Sequence, residues 1–141
     1  MEILAQNQAV QDLIPQKFPF VMVDKLYSFS QDQLVAGLHV SEANIFTVDG
    51  TFRESGLIEH MAQSVALHTG YQFFLKQEAA PTGYIGSVSA LTISDLPKNG
   101  DEIVTTVAIL QEFGGITMVE ISSSVNGSEI ARGQMKTVIA S

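Results

Sequence analysis

The segment SGLIEHMAQSVALHTGYQFFL at residues 55–75 has the length of a long helix, and Glu59 is its only Asp, Glu, Lys or Arg. Good helix formers dominate it, and Ser55, ahead of Gly-Leu-Ile, is the expected N-cap. On a wheel of about 100° per residue, Leu57, Ile58, Met61, Val65, Phe73 and Leu75 cover most of the circumference, while Glu59, Gln63 and Gly70 share one narrow stripe. A helix that is apolar nearly all round has to be enclosed by other structure. A membrane span needs about 20 mostly apolar residues, and the Glu, two His, two Gln, Ser and Thr carried here argue against one.

What encloses the helix is read from its flanks. Residues 21–29 and 34–40 are β-prone around the polar turn Gln31-Asp32-Gln33, and residues 10–14 predict a short helical turn that stops at Pro15. After the helix come four β-prone runs, at residues 84–94, 102–111, 116–125 and 129–139. They are separated by residues 96–101, by Gly114-Gly115 and by Asn126-Gly127, the last a strong hairpin signal. In the final run Ala131, Gly133, Met135 and Thr137 alternate with Arg132, Gln134 and Lys136, the pattern of a half-exposed antiparallel strand. Two strands, one buried helix and four strands make an α+β fold: one long central helix wrapped by an antiparallel sheet of about six strands. With no repeat or linker, residues 1–141 are expected to form a single domain.

Composition narrows the partners. Hydrophobic residues make up 45% and charged residues 16%, so much apolar surface needs covering, which points to an oligomer. Lys and Arg total 7 against 15 Asp and Glu, a net charge of −8 that disfavours nucleic acid and anionic membranes. The absence of Cys removes disulfides, thiolate nucleophiles and Cys-ligated metals, and no metal site is expected. The first fifteen residues lack the cationic and apolar regions of a signal peptide, so a cytoplasmic location is expected.

The chemistry centres on Glu59. A carboxylate on an apolar, buried helix is costly unless it is paired, so its presence asks for a reason. Gln63, one turn on, can bond and orient it. Backbone N–H groups at Gly56 and Leu57, at the positive end of the helix dipole, suit a polarised carbonyl oxygen. The plainer reading is an acidic residue favoured in a first helical turn.

Ile14-Pro15-Gln16-Lys17-Phe18-Pro19-Phe20-Val21-Met22-Val23-Asp24, followed by Gly56-Leu57-Ile58-Glu59-His60-Met61-Ala62-Gln63, resembles the 3-hydroxyacyl-(acyl-carrier-protein) dehydratases. Their patterns run L-P-H-R-x-P-F-L-L-V-D and P-G-V-L-x-x-E-A-x-A-Q. Pro97, Gly100-Asp101, Gly115-Ile116 and Val125-Asn126-Gly127 fall where that family has its P-x-x-P-G-D turn and its two later hairpins, so the resemblance covers residues 13–140. It implies a hot-dog fold and a dimer with acyl tunnels across the subunit interface, each taking a chain carried on phosphopantetheine. It further implies that the glutamate, here Glu59, protonates the leaving hydroxyl, that a backbone N–H near Gly56 holds the thioester carbonyl, and that a histidine of the other subunit takes the proton beside that carbonyl.

That histidine belongs to a G-H-F-P-G loop in the family, and here the loop reads Asp49-Gly50-Thr51-Phe52-Arg53-Glu54-Ser55, with Thr51 in the His position. Threonine cannot act as a base near neutral pH. His39, His60 and His68 are the only histidines. His60 and Glu54 are candidate substrate or carrier contacts, Glu54 also as a second carboxylate, and Lys17 and Arg53 are candidates for a phosphate at the tunnel mouth. The resemblance thus implies a dehydratase-like protein acting on or binding 3-hydroxyacyl thioesters in fatty-acid-type biosynthesis. An acyl carrier protein or a CoA thioester is its expected partner, with no metal or redox cofactor. A catalytically silent partner of an active homologue, in a heterodimer, is the second reading, and an acyl thioesterase the third.

Overall fold

The structure is a computed structural model and describes residues 2–139. Its elements are β1 (Ala5–Gln6), α1 (Gln8–Gln11), β2 (Lys25–Phe29), β3 (Gln33–His39), β4 (Thr47–Val48), β5 (Thr51–Phe52), α2 (Glu54–Leu75), β6 (Gly83–Ile93), β7 (Glu102–Phe113), β8 (Ile116–Val125) and β9 (Ser128–Ile139). Seven strands form one antiparallel sheet in the order β1-β2-β3-β7-β8-β9-β6, and β4 and β5 pair separately. The expected count of about six strands misses β1, too short for any periodicity to show, and the small β4–β5 pair.

Helix α2, 22 residues and so about 33 Å long, lies against the sheet. Leu57, Met61, Val65 and Leu67 meet Leu34, Ala36 and Leu38 of β3, Ile103 and Val107 of β7, and Val119 and Ile121 of β8 in one core. This is a hot-dog fold. Along β9, Ala131, Gly133 and Met135 are buried while Arg132 and Lys136 are exposed, as the alternation predicts. No helix among the described residues is long and apolar enough to cross a membrane.

Two boundaries differ from expectation. Helix α2 begins at Glu54 with Arg53 at the cap and no side-chain cap bond, so Ser55 is not the N-cap. Tertiary bonds replace it: Phe52 N–H reaches the Pro97 carbonyl and Arg53 N–H the Phe46 carbonyl, each at 2.9 Å, and they fix the chain's entry into the helix. Residues 21–24, expected in a strand, lie outside β2. The Met22 N–H and carbonyl are bonded to side chains of α2 instead of a neighbouring strand.

Strand β6 forms one edge of the sheet and bonds β9 alone. It carries no charge, and residues 83–90 are all exposed, Tyr84, Ile85 and Val88 among them. A long, uncharged, open edge invites pairing with another chain.

In the C-terminal part of α2, Gly70 meets the chain segment that follows α1. A Cβ built on Gly70 would lie 1.8 Å from the Leu13 carbonyl oxygen, so this helix face has no room for a side chain. Gly70→Ala should therefore destabilise the protein, because overpacking against backbone costs about 1–3 kcal/mol or more and exceeds the roughly 1 kcal/mol that alanine gains in helix propensity. Urea denaturation should show a lower midpoint, and an unchanged or higher midpoint would contradict this packing.

Candidate active site

Gln63 is fully buried on α2, and its bonds set the geometry around it. Met22 N–H donates to Gln63 Oε1 at 2.7 Å. A backbone N–H can only donate, so the amide orientation is fixed, and both hydrogens on Nε2 are directed elsewhere. They go to the Phe20 carbonyl at 2.8 Å and to Glu59 Oε2 at 2.7 Å. Glu59 Oε2 is therefore an acceptor, and when the carboxyl is protonated the hydrogen sits on Oε1. The stripe read from the wheel thus delivers an oriented carboxyl, with Oε1 as the atom that can give up a proton.

Glu59 lines a cavity of about 240 Å³ between α2 and the start of β6. Ala62 and Ala66 leave room along the helix, and Leu13, Gln16, Gly70 and Tyr84 contribute to the walls. Gly70 lies on the stripe that the wheel gives to Glu59, whereas Ala62 and Ala66, at i+3 and i+7 from Glu59 on the same side of the helix, were not among the expected site residues. Beside this cavity a second one continues past Val65 and Thr69 to Gln72, Phe73 and Lys76. A groove with a carboxyl at one end and small side chains beyond it suits an extended acyl chain with its reacting carbons at the carboxyl.

The other candidates lie apart from this cavity. Leu57 N–H is bonded to the Arg53 carbonyl at 3.0 Å, so it is not available to an oxyanion. Gly56 N–H belongs to the first helical turn, where no helical carbonyl lies within reach. Gly56 is also a packing requirement, since a Cβ there would come within 2.5 Å of Phe46 and 2.7 Å of the Phe52 ring. Arg53 and Glu54 pair with each other at 3.2 Å in solvent. Lys17 is exposed, and its ammonium donates to the Gln11 and Ile14 carbonyls at 2.8 and 3.1 Å, closing the end of α1.

His60 was expected to contact substrate or carrier, and the structure encloses it in the core with no exposed surface. Its Nδ1 lies 2.6 Å from the Met22 carbonyl and its Nε2 2.7 Å from Thr105 Oγ1, itself 2.6 Å from Ser123 Oγ. Burial lowers the imidazole's pKa from 6.5 to about 4, against the opposing bond to the Met22 carbonyl, so the ring is neutral at pH 7. A carbonyl only accepts, which puts the hydrogen on Nδ1; Nε2 then accepts from Thr105, and Thr105 from Ser123. His39 bonds Glu102 at the surface, and His68 bonds the Ser30 carbonyl and packs on Phe29. None of the three histidines lines the cavity at Glu59.

A family model described as ApeP-like, ApeP dehydratase, matches residues 8–140. The chain belongs to the ApeP-like dehydratase family. Among relatives of this ApeP-like chain is a 3-hydroxyacyl-[acyl-carrier-protein] dehydratase FabZ of Ruminiclostridium cellulolyticum. It is 24% identical over 136 residues, spanning 92% of this chain and 94% of the relative. A FabZ of Vibrio atlanticus is 26% identical over 137 residues, 90% of this chain and 88% of the relative. The dehydratase heterocomplex ApeI:P from Xenorhabdus doucetiae superposes with a TM-score of 0.88 at 20% identity, covering 94% of this chain and 91% of that one. A hypothetical thioesterase with coenzyme A from Streptococcus pneumoniae superposes at 0.65 with 9% identity, covering 82% and 84%. At such identities the superpositions show the shared hot-dog fold.

The His60 shift has a definite sign. Because its folded pKa lies below 6.5, the unfolded chain binds more protons as pH falls, and stability present above about 6.5 is lost between about 6.5 and 4. The loss amounts to about 3 kcal/mol. Denaturation across this range should show it, with His60→Gln removing that part of the slope, and an imidazole NMR titration should have its midpoint near 4. A midpoint near 6.5 would contradict the buried, neutral ring.

Proposed function

We propose that this chain is the glutamate-bearing subunit of a 3-hydroxyacyl thioester dehydratase, completed by a homologous subunit that supplies the base. The observation that carries this is Glu59, held through Oε2 by Gln63 in a cavity that no histidine of the chain lines. In the elimination, a base takes the proton from C2, its electron pair forms the C2=C3 bond, and the C3–O bond breaks. Glu59 gives its proton to the departing hydroxyl, which leaves as water. The step is redox-neutral and calls for neither a metal nor a redox cofactor.

In the family this chain resembles, acid and base of one site come from different subunits. A homodimer of this chain would then hold two glutamates and no histidine. A heterodimer with a histidine-bearing homologue would hold one complete site, pairing Glu59 with the partner's histidine, and one incomplete site that includes Thr51. The open edge of β6 offers such a partner a strand to pair with. The kinship with carrier-protein dehydratases supports a carrier-bound acyl substrate in fatty-acid-type biosynthesis, in the cytoplasm. A net charge of −8 leaves few basic side chains to attract an acidic carrier, which suits docking on the partner subunit.

The chain is tested alone and co-expressed with a histidine-bearing homologue from the same source, on 3-hydroxyacyl carrier protein and CoA thioesters. The assembled pair should form enoyl thioester while the chain alone forms none, and Glu59→Gln should lower the pair's rate at least about a hundredfold. Release of free acid would make the protein a thioesterase. Water loss by the chain alone would remove the need for a partner, and a pair indifferent to Glu59→Gln would make this a silent subunit.

A further inference from the structure

Gln16 lies in the chain between α1 and the segment that Gln63 binds, and it lines the same cavity as Glu59. Its Oε1 is buried and has no hydrogen-bond partner among the described residues. Hydroxyls at Thr69, Tyr84, Thr117 and Thr137 also line the cavity, yet none bonds to it. An amide oxygen withdrawn from solvent without a donor is a standing cost to the fold, and such atoms are uncommon enough to need an explanation. Gln63 shows the contrast, with both its polar atoms bonded, to Met22, Phe20 and Glu59.

We infer that Gln16 is a substrate-binding residue whose Oε1 accepts the hydrogen of the substrate's 3-hydroxyl. This rests on the dehydratase reading above. A 3-hydroxyacyl thioester has hydroxyl and amide donors, but only the hydroxyl must lie at Glu59, and Gln16 shares that small cavity. The amides of the pantetheine arm lie beyond the thioester, away from the carbon that loses oxygen. Binding requires a turn of the Gln16 side chain that carries its enclosed Oε1 into the cavity; with its hydrogen on that oxygen, the hydroxyl presents a lone pair for the proton on Glu59 Oε1, so one contact both recognises the 3-hydroxyl and orients it. An acyl chain lacking that hydroxyl would leave Oε1 as unpartnered as in the free protein, which makes Gln16 a source of discrimination.

The test measures calorimetric affinities of wild type and Gln16→Met, each assembled with a partner subunit whose histidine has been replaced to stop turnover. The ligands are a 3-hydroxyacyl-CoA and the saturated acyl-CoA of equal length, which share the pantetheine arm. Wild type should prefer the hydroxyacyl form about tenfold. Gln16→Met should abolish that preference and leave the saturated ligand's affinity unchanged. Its Tm should equal or exceed that of wild type, because the variant removes an unsatisfied acceptor, and Gln16→Glu should keep part of the preference. A preference absent from wild type, or retained in Gln16→Met, overturns the assignment. A lower Tm with both affinities falling together shows a structural role and overturns it too. If wild type binds neither thioester, the dehydratase reading itself fails.

Discussion

A helix buried on nearly every side can carry polar side chains only if each finds a partner inside the protein, and in this fold the Met22 peptide unites two of them. Gln63 takes its N–H and His60 its carbonyl, at 2.7 and 2.6 Å. These two bonds hold residues 20–22 against α2 and keep them out of the sheet. They also fix the Gln63 amide, which passes its remaining hydrogen to Glu59. The orientation of the Glu59 carboxyl therefore follows from a structural clamp: the bonds that close the core also prepare the site.

The helix divides its labour by face. Toward the sheet, His60 runs into Thr105 and Ser123, a closed chain of hydrogen bonds with no outlet to solvent. Toward β6, Glu59, Ala62 and Ala66 line open space. Glu59 and His60 are adjacent in the sequence, but a step of about 100° around the axis sends them to different duties. The remaining histidines are engaged at Glu102 and at Ser30. An oriented acid without a base, beside an edge strand free of charge, supports a reading in which the site and the fold are both completed by another subunit.

Much of this was legible in the sequence. The apolar circumference of residues 55–75, the glycine turns and the alternation in β9 are local patterns, and they gave the helix, the later strands and the α+β class. The Glu59–Gln63 bond follows from spacing alone. What stayed hidden depends on contacts distant in sequence. Ser55 has the right chemistry for a cap, but bonds to Pro97 and Phe46 start the helix earlier. Residues 21–24 are β-prone, yet the Met22 N–H and carbonyl bond a helix about 40 residues away in the chain. Leu57 N–H is spent on Arg53, and His60 is surrounded by strands that no wheel can place. Gln16 gave no sequence signal, because what marks it is a missing partner.

The division of one active site between two unlike subunits is tested most directly by removing each glutamate of the assembled pair in turn. In a complex with a histidine-bearing homologue, Glu59→Gln in this chain should abolish enoyl thioester formation, while the same change at the partner's matching helix glutamate should leave the rate nearly unchanged. The opposite pattern, with activity surviving loss of Glu59 and lost with the partner's glutamate, would contradict the account.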